Sequence, residues 1–339
     1  MISVSLCMIV KNEEKVLARC LDSIKELMDE IIIVDTGSTD RTKKIAEGYT
    51  DKVYEFQWVN DFSAARNFAF SKASCDYIYS ADADEVVSKE NREKFMILKE
   101  TLLPEIEIVQ MYYANQLSFG TIYNYDKELR PKLFKRIRSF CWEEPIHETV
   151  RLSPVVFDSD IEITHLPEKS HTDRDLAAFR GQIEKGKELS PRLRNIYAKE
   201  LYISGKEEDF LKAEEYFTKT ADDGAVSLDE MKEAVCVTVK AARLRGDYLK
   251  MYHYAMKDIA SDGVSEVCCE LGEYYFDREN YLEAAMWFYN AVYETHSILN
   301  IRCSGDKALN RLADCYERLG QKEQAQEYRR YAGQWKAQA

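Results

Sequence analysis

The 339-residue chain has no long apolar run. No stretch approaches the ~18 consecutive apolar residues of a membrane-spanning helix. The N-terminal run Val4 to Val10 stops at Lys11 and has no basic region before it, so it reads neither as a leader nor as a span. Paired cysteines are missing too. The nine cysteines (Cys7, Cys20, Cys75, Cys141, Cys236, Cys268, Cys269, Cys303 and Cys315) are odd in number and form no CxxC pair. Several sit inside apolar patterns, which fits buried thiols in a reducing compartment better than a disulfide framework. There is no excess of positive charge: the formal net charge of -13 repels phosphates at long range and argues against nucleic acid or an anionic membrane as the main partner. The chain also lacks a GxxxxGKS/T phosphate loop, a GxGxxG after its first strand, and an HExxH, since His147-Glu-Thr-Val-Arg151 has no second histidine. Kinase, dehydrogenase and metalloprotease readings therefore have no support. The expectation is a cytoplasmic protein with no membrane span and no nucleic-acid partner.

What is present suffices for about two folded domains, with 45% hydrophobic and 32% charged residues. The first half alternates strand and helix signals. Val4–Val10 and Glu30–Asp35 are short β-branched runs that read as buried strands, and Lys52 to Trp58 alternates like a third. Asp76 to Ser80 is a fourth, running into Ala81-Asp82-Ala83-Asp84-Glu85. Between them, Glu13 to Met28 and Phe62 to Ala73 carry apolar residues at helical spacing, and Thr36 to Asp40 supplies capping residues for a helix of its own. This rhythm predicts an α/β domain with a mostly parallel sheet and helices on its faces. Such sheets bind ligands at the carboxyl ends of their strands. Three polar clusters fall there: Lys11-Asn12-Glu13-Glu14, Asp35 to Asp40, and Asp82 to Glu85. From Glu105 to about His165 the pattern turns to short strands, at Ile106 to Tyr112, Lys132 to Arg136, Val155 to Phe157 and Ile161 to Thr164.

After Thr172 the chain reads as helical to its end. Leu271, Gly272, Tyr275, Ala284, Phe288 and Ala291 fall at the spacing of the tetratricopeptide signature, in which small residues let paired helices approach. Leu312, Ala313, Tyr316, Ala325 and Ala332 repeat most of it, with Arg329 where an aromatic is expected. Ala213 and Phe217 belong to a weaker copy and Ala241 to Ala260 to a divergent one. About four stacked units make one continuous all-α domain. The expected division is 1–170 and 171–339.

The sharpest chemical feature is Asp82-Ala-Asp84-Glu85. Two carboxylates one residue apart, just past a buried strand, can approach a hard divalent cation and a diphosphate. An isolated acidic triplet is more often a cap or a solvated turn; its place at a strand end reverses that preference. Asp35 to Asp40 offers a carboxylate for a ribose or base edge and then a helix N-terminus, although a plain strand-turn-helix cap needs the same residues. The basic run Arg130 to Arg138 stands evenly between a solvated edge and a patch facing phosphate or acceptor.

Four segments together resemble the family 2 glycosyltransferases of the GT-A fold: Met8-Ile-Val-Lys-Asn-Glu-Glu14, Ile32 to Thr42, Asp61-Phe-Ser-Ala-Ala-Arg-Asn67 and Asp82 to Glu85. Trp142-Glu-Glu-Pro-Ile-His-Glu148, Ile163-Thr-His165 and the repeats are similar to a bacterial subgroup with a C-terminal tetratricopeptide domain, which includes peptide S-glycosyltransferases of the sublancin-enzyme type. The resemblance implies an inverting hexosyltransferase using a UDP-sugar, UDP-glucose first, with Mn2+ or Mg2+, and a peptide, protein or glycan as acceptor. It implies that Val10 holds the base through the backbone and that Asp35 binds base or ribose. Arg66 would contact base or phosphates, Asp82 ribose or metal, and Asp84 the metal; Asn12, Glu14 and Ser38 join the nucleotide-sugar set. His147 and His165 are further metal candidates, each evenly balanced against a structural hydrogen bond. Trp142 is equally a sugar-stacking or a core aromatic. The general base is sought among Glu143, Glu144 and Glu148, with Glu148 favoured and Glu144 second.

Two other readings compete. One is a catalytically silent nucleotide-sugar scaffold with a peptide-binding repeat domain, against which stand Asp35, Arg66, Asp82, Asp84 and His147-Glu148 kept together. A nucleotidyltransferase would need a glycine-rich basic loop after the first strand, and Lys11-Asn-Glu-Glu14 is not one. The aromatic-rich last repeat (Tyr316, Tyr328, Tyr331, Trp335) is a candidate surface for pairing two chains.

Overall fold

The computed structural model describes residues 1–114, 127–136, 142–143, 149–150, 154–166 and 172–335. The described residues up to 166 form one compact unit and those from 172 form a second.

The first unit runs β1 (Val4–Val10), α1 (Leu17–Ile24), β2 (Glu30–Asp35), α2 (Thr42–Glu47), β3 (Val53–Glu55), α3 (Phe62–Phe70), β4 (Tyr77–Ala81), β5 (Glu85–Val87), α4 (Lys89–Thr101), β6 (Ile108–Ala114), β7 (Lys127–Lys135), β8 (Trp142–Glu143), β9 (Thr149–Val150) and β10 (Val156–His165). Among the described residues, eight strands join in one sheet of order β3-β2-β1-β4-β7-β6-β10-β5. Its first half, β3-β2-β1-β4, is all parallel. Beyond β4 the sheet becomes mixed: β7 is antiparallel to β4 and β6, β6 is parallel to β10, and β5 closes the edge antiparallel to β10.

Alternation along the strands explains why helices cover both faces. Leu6, Met8 and Val10 point into one core with Leu17, Leu21, Tyr79 and Phe95, beneath α1 and α4. Cys7, Ile32, Val34 and Ile78 point into the other, with Ala69 and Phe70 of α3 and Phe134 of β7. Thr36 to Asp40 leads into α2, which begins at Thr42, whose N–H and hydroxyl both donate to the Asp40 carboxylate. At the other end of the turn the Thr36 N–H and hydroxyl are engaged with the Val10 carbonyl. One local expectation changes. The expected strands at 155–157 and 161–164 are one strand, β10, broken in register between Asp158 and Glu162.

The second unit is helical: α5 (Thr172–Glu184), α6 (Pro191–Ser204), α7 (Glu207–Asp222), α8 (Leu228–Arg245), α9 (Tyr248–Ile259), α10 (Ser265–Phe276), α11 (Tyr281–Tyr293), α12 (Asp306–Arg318) and α13 (Lys322–Gln334). Gly272 shows why the small residues recur. A Cβ there would sit 2.8 Å from the ring of Phe288, so its absence is what lets α10 meet α11. Between α5, α6 and α7 aromatics fill the space instead, with Tyr197 stacked on Phe179 at 4.8 Å and against Phe217 at 5.3 Å. No helix among the described residues is long and apolar enough to cross a membrane.

Candidate active site

At the carboxyl ends of β1 and β2 two loops lock together. Asn12 adopts a left-handed backbone (φ 57°), which asparagine tolerates better than most residues. Its N–H donates to the Ser38 hydroxyl at 2.9 Å, and its side-chain oxygen accepts from the Thr39 N–H at 2.7 Å. The Glu13 and Glu14 N–H groups donate to Thr42 and Asp40, and the Glu14 carboxylate accepts from the Arg41 N–H and Nε. Asn12, Glu14 and Ser38, expected on the nucleotide sugar, thus meet one another's loops and fix their shape.

Asp35 behaves differently. One carboxylate oxygen accepts the N–H groups of Gly37 at 2.9 Å and Ser38 at 2.8 Å, in a turn that Gly37 permits at φ 104°. The other oxygen is buried and has no hydrogen-bond partner. Leaving such an acceptor unmet costs about 1–3 kcal/mol. A donor arriving with a ligand would recover it. Asp35 stands opposite Val10 in the β1–β2 register, and β4 lies on the far side of β1. The acid-bearing end of β4 is therefore two strand spacings away, roughly 10 Å.

The acids after β4 sit among fixed cations. Asp61 caps α3, accepting from the Ala64 N–H, and so sets the helix phase that brings Arg66 inward. Arg66 donates to the Ser80 hydroxyl at 2.6 Å and lies 3.6 Å from Asp82. Lys132 of β7 pairs with Glu85, both buried. Desolvation would raise the Asp82 pKa, but Lys132, Arg66 and Arg130 outweigh it and hold that carboxyl well below its usual range. Glu85 moves the opposite way: burial, reinforced by Asp82 and Asp84 and only partly offset by Lys132, pushes it up to about 7.

Asp84 meets His165, whose Nε2 is 3.1 Å from its carboxylate. The antiparallel pairing of β5 with β10 makes this contact, aided by the Leu166 N–H on the Asp84 carbonyl. The Tyr113 ring lies 5.1 Å from the His165 ring, and Arg130 stacks 4.1 Å above Tyr113. Sequence reasoning left Glu85, Tyr113, Arg130 and Lys132 out of the site. The basic run was the available signal, and it divides: Arg130 and Lys132 turn to the acidic corner, while Lys135 and Arg136 donate to the carbonyls of Pro104 and Cys75. Glu144, His147 and Glu148 lie outside the described residues, as do the side chains of Trp142 and Glu143.

Among the described residues, no three His, Cys, Asp or Glu side chains converge on one point. The donors nevertheless fit a hard divalent cation. Such ions keep waters and substrate phosphate oxygens and need only one or two protein carboxylates, and Asp84 with His165 supplies an oxygen and a nitrogen within one contact.

Residues 5–151 match the model of glycosyl transferase family 2. The first unit carries a family 2 glycosyltransferase domain. The SPbeta prophage-derived glycosyltransferase SunS of Bacillus subtilis is 29% identical over 217 residues, 60% of this chain and 51% of that protein. A glycosyltransferase of Rickettsia felis is 31% identical over 176 residues, 47% of this chain and 56% of its own. A TPR repeat-containing protein of Synechococcus elongatus is 52% identical over 85 residues, 25% of this chain and 21% of its own. The chain thus spans about half or less of the length of these curated relatives. Asp82, Asp84 and Glu85 lie within the matched segment, and β10 with His165 lies beyond it.

Proposed function

We propose that the chain is an inverting, metal-dependent glycosyltransferase that moves a hexose from a UDP-sugar, UDP-glucose first, to a peptide, protein or glycan acceptor. The observation that carries this reading is the acidic corner after β4. It pairs Asp84 with His165, and Asp82 with Arg66, at the strand ends of a family 2 domain. Asp35 would accept an N–H of the base or a ribose hydroxyl through its unmet oxygen, with Val10 alongside. Arg66 would share its charge between Asp82 and the diphosphate, holding the donor in line. Asp84 and His165, with Asp82 and His147, would hold Mn2+ or Mg2+, which neutralises the departing diphosphate when bound. Glu148, or Glu144 in second place, would take the acceptor proton from the face opposite the leaving group, as inversion requires. Trp142 would stack on the sugar. Asn12, Glu14 and Ser38 act here by shaping the loops around the nucleotide.

In this reading 1–170 is the transferase domain and 171–339 a tetratricopeptide-like domain. The repeats aid acceptor recognition or pair two chains, and the protein works in the cytoplasm. Asp84→Asn tests the assignment. Manganese-dependent hydrolysis of UDP-glucose should fall by about 10²–10³-fold, the scale set by losing one preorganised electrostatic group, with the folded state retained by circular dichroism. Retained turnover would remove Asp84 from the reaction.

A further inference from the structure

Helix α1 meets both halves of the acidic corner along one edge. Arg19, Cys20 and Ser23 are close neighbours on that helix, since residues three and four apart share a face. The buried Cys20 thiol donates to the Asp82 carbonyl at 3.4 Å. The Ser23 hydroxyl accepts the Val87 N–H at 3.2 Å while donating its own proton to the Cys20 carbonyl at 2.7 Å. The turn that carries Asp84 is therefore tied to α1 on both sides. Arg19 reaches further along the chain. Its Nη2 donates to the Leu166 carbonyl at 2.8 Å, across 147 residues of sequence.

Leu166 is gripped at both ends. Its N–H donates to the Asp84 carbonyl at 3.0 Å, and its own carbonyl accepts from Arg19. These contacts take over where the β5–β10 ladder stops. Glu85 opposite His165 is the last pair, and β5 is a three-residue strand at the sheet edge. Hydrogen bonds at such an end open at little cost, so the grip on Leu166 decides how firmly the His165 main chain stays beside Asp84. Helix α1 is a firm anchor for that grip, because Leu17, Leu21 and Ile24 fix its other side in the core. A guanidinium also binds a carbonyl more strongly than a neutral donor does.

We propose that Arg19 is a positioning residue: by holding the Leu166 carbonyl it keeps His165 against Asp84, so that one edge of α1 presets the pair that takes the divalent cation. The proposal deepens, and rests on, the metal-holding role given to Asp84 and His165 above. Arg19 itself touches neither the cation nor the sugar donor in this role.

Two measurements on the full chain test it. Hydrogen exchange of the metal-free chain should show the Leu166 amide exchanging about fivefold faster in Arg19→Met, with β1 and β2 unchanged and the melting temperature held. Mn2+ affinity, read by electron paramagnetic resonance in the presence of UDP, should fall about fivefold, the scale of one net hydrogen bond. Arg19→Lys keeps a charged donor and should recover most of both losses. In a His165→Ala background, Arg19→Met should cost no further Mn2+ affinity, because it acts through that histidine. Unchanged exchange at Leu166, equal and measurable Mn2+ affinity in both chains, or the same loss with His165 already removed would overturn the proposal. Faster exchange in Arg19→Met, with no Mn2+ uptake even by the wild type, would sink the metal-dependent reading alone and leave Arg19 as the residue that holds His165 to Asp84.

Discussion

Glu266 on α10 and Asp35 at the end of β2 are both buried carboxylates, one in each unit, and their surroundings are opposite. Glu266 accepts the backbone N–H groups of Ile298, Leu299 and Asn300 at 3.1, 2.8 and 2.8 Å, pinning the segment that follows α11. Asp35 satisfies one oxygen with its own turn and leaves the other without a donor. A buried acid whose lone pairs are filled by backbone holds the fold together. One left partly unfilled at a strand end is arranged for something that arrives.

The comparison breaks first at Glu266. Replacing it by alanine strands three N–H groups in a buried place, and the repeat unit should lose on the order of 3–5 kcal/mol in denaturant unfolding. Glu266→Gln, which keeps an acceptor oxygen, should recover part of that loss. An unchanged midpoint for the alanine variant would mean that these hydrogen bonds do not hold the segment.

Asp35→Asn probes the other side. The variant keeps one oxygen for Gly37 and Ser38 and puts an amide where the unmet oxygen stood. UDP affinity by calorimetry should fall by about 10–100-fold, the equivalent of one or two hydrogen bonds to the nucleotide, while stability without ligand moves by less than ~1 kcal/mol. A collapse in stability with UDP binding intact would make Asp35 another Glu266.

The same contrast shows what could be read along the chain. Buried β-branched runs announce β1 and β2, because strands covered on both faces need apolar residues throughout. Gly272 and Ala284 announce α10 and α11, because close approach admits only small residues. The acidic triplet announces where the site sits. What stays hidden is the company each acid keeps. His165 reaches Asp84 across 81 residues, and Lys132 reaches Glu85 across 47. Both contacts depend on β10 pairing antiparallel with β5 and on β7 entering between β4 and β6. No local periodicity encodes that order. Nor does it distinguish Asn12, Glu14 and Ser38 as loop-shaping groups, since ligand contacts and loop contacts call for the same polar residues.

Glu200 on α6 sharpens the contrast within the repeat unit. It is buried, like Glu266, but among the described residues no N–H donates to its carboxylate. Burial raises its pKa to about 8, with Asp175 adding to the rise and Arg174 opposing it. The folded state therefore keeps a proton that the unfolded chain releases near pH 4.5. Stability from this group is fully present below pH 4.5 and is lost as the pH rises toward 8. Glu200→Gln, neutral at every pH, should flatten the decline in melting temperature between pH 5 and 8, by on the order of 2 kcal/mol at the upper end. Glu266→Gln should flatten it less, because burial raises that carboxyl too but the N–H groups of Asn300, Leu299 and Ile298 offset part of the rise. Identical pH profiles for wild type and Glu200→Gln would show that this acid ionises freely in the folded chain, and that burial without donors is not what sets it apart from Glu266.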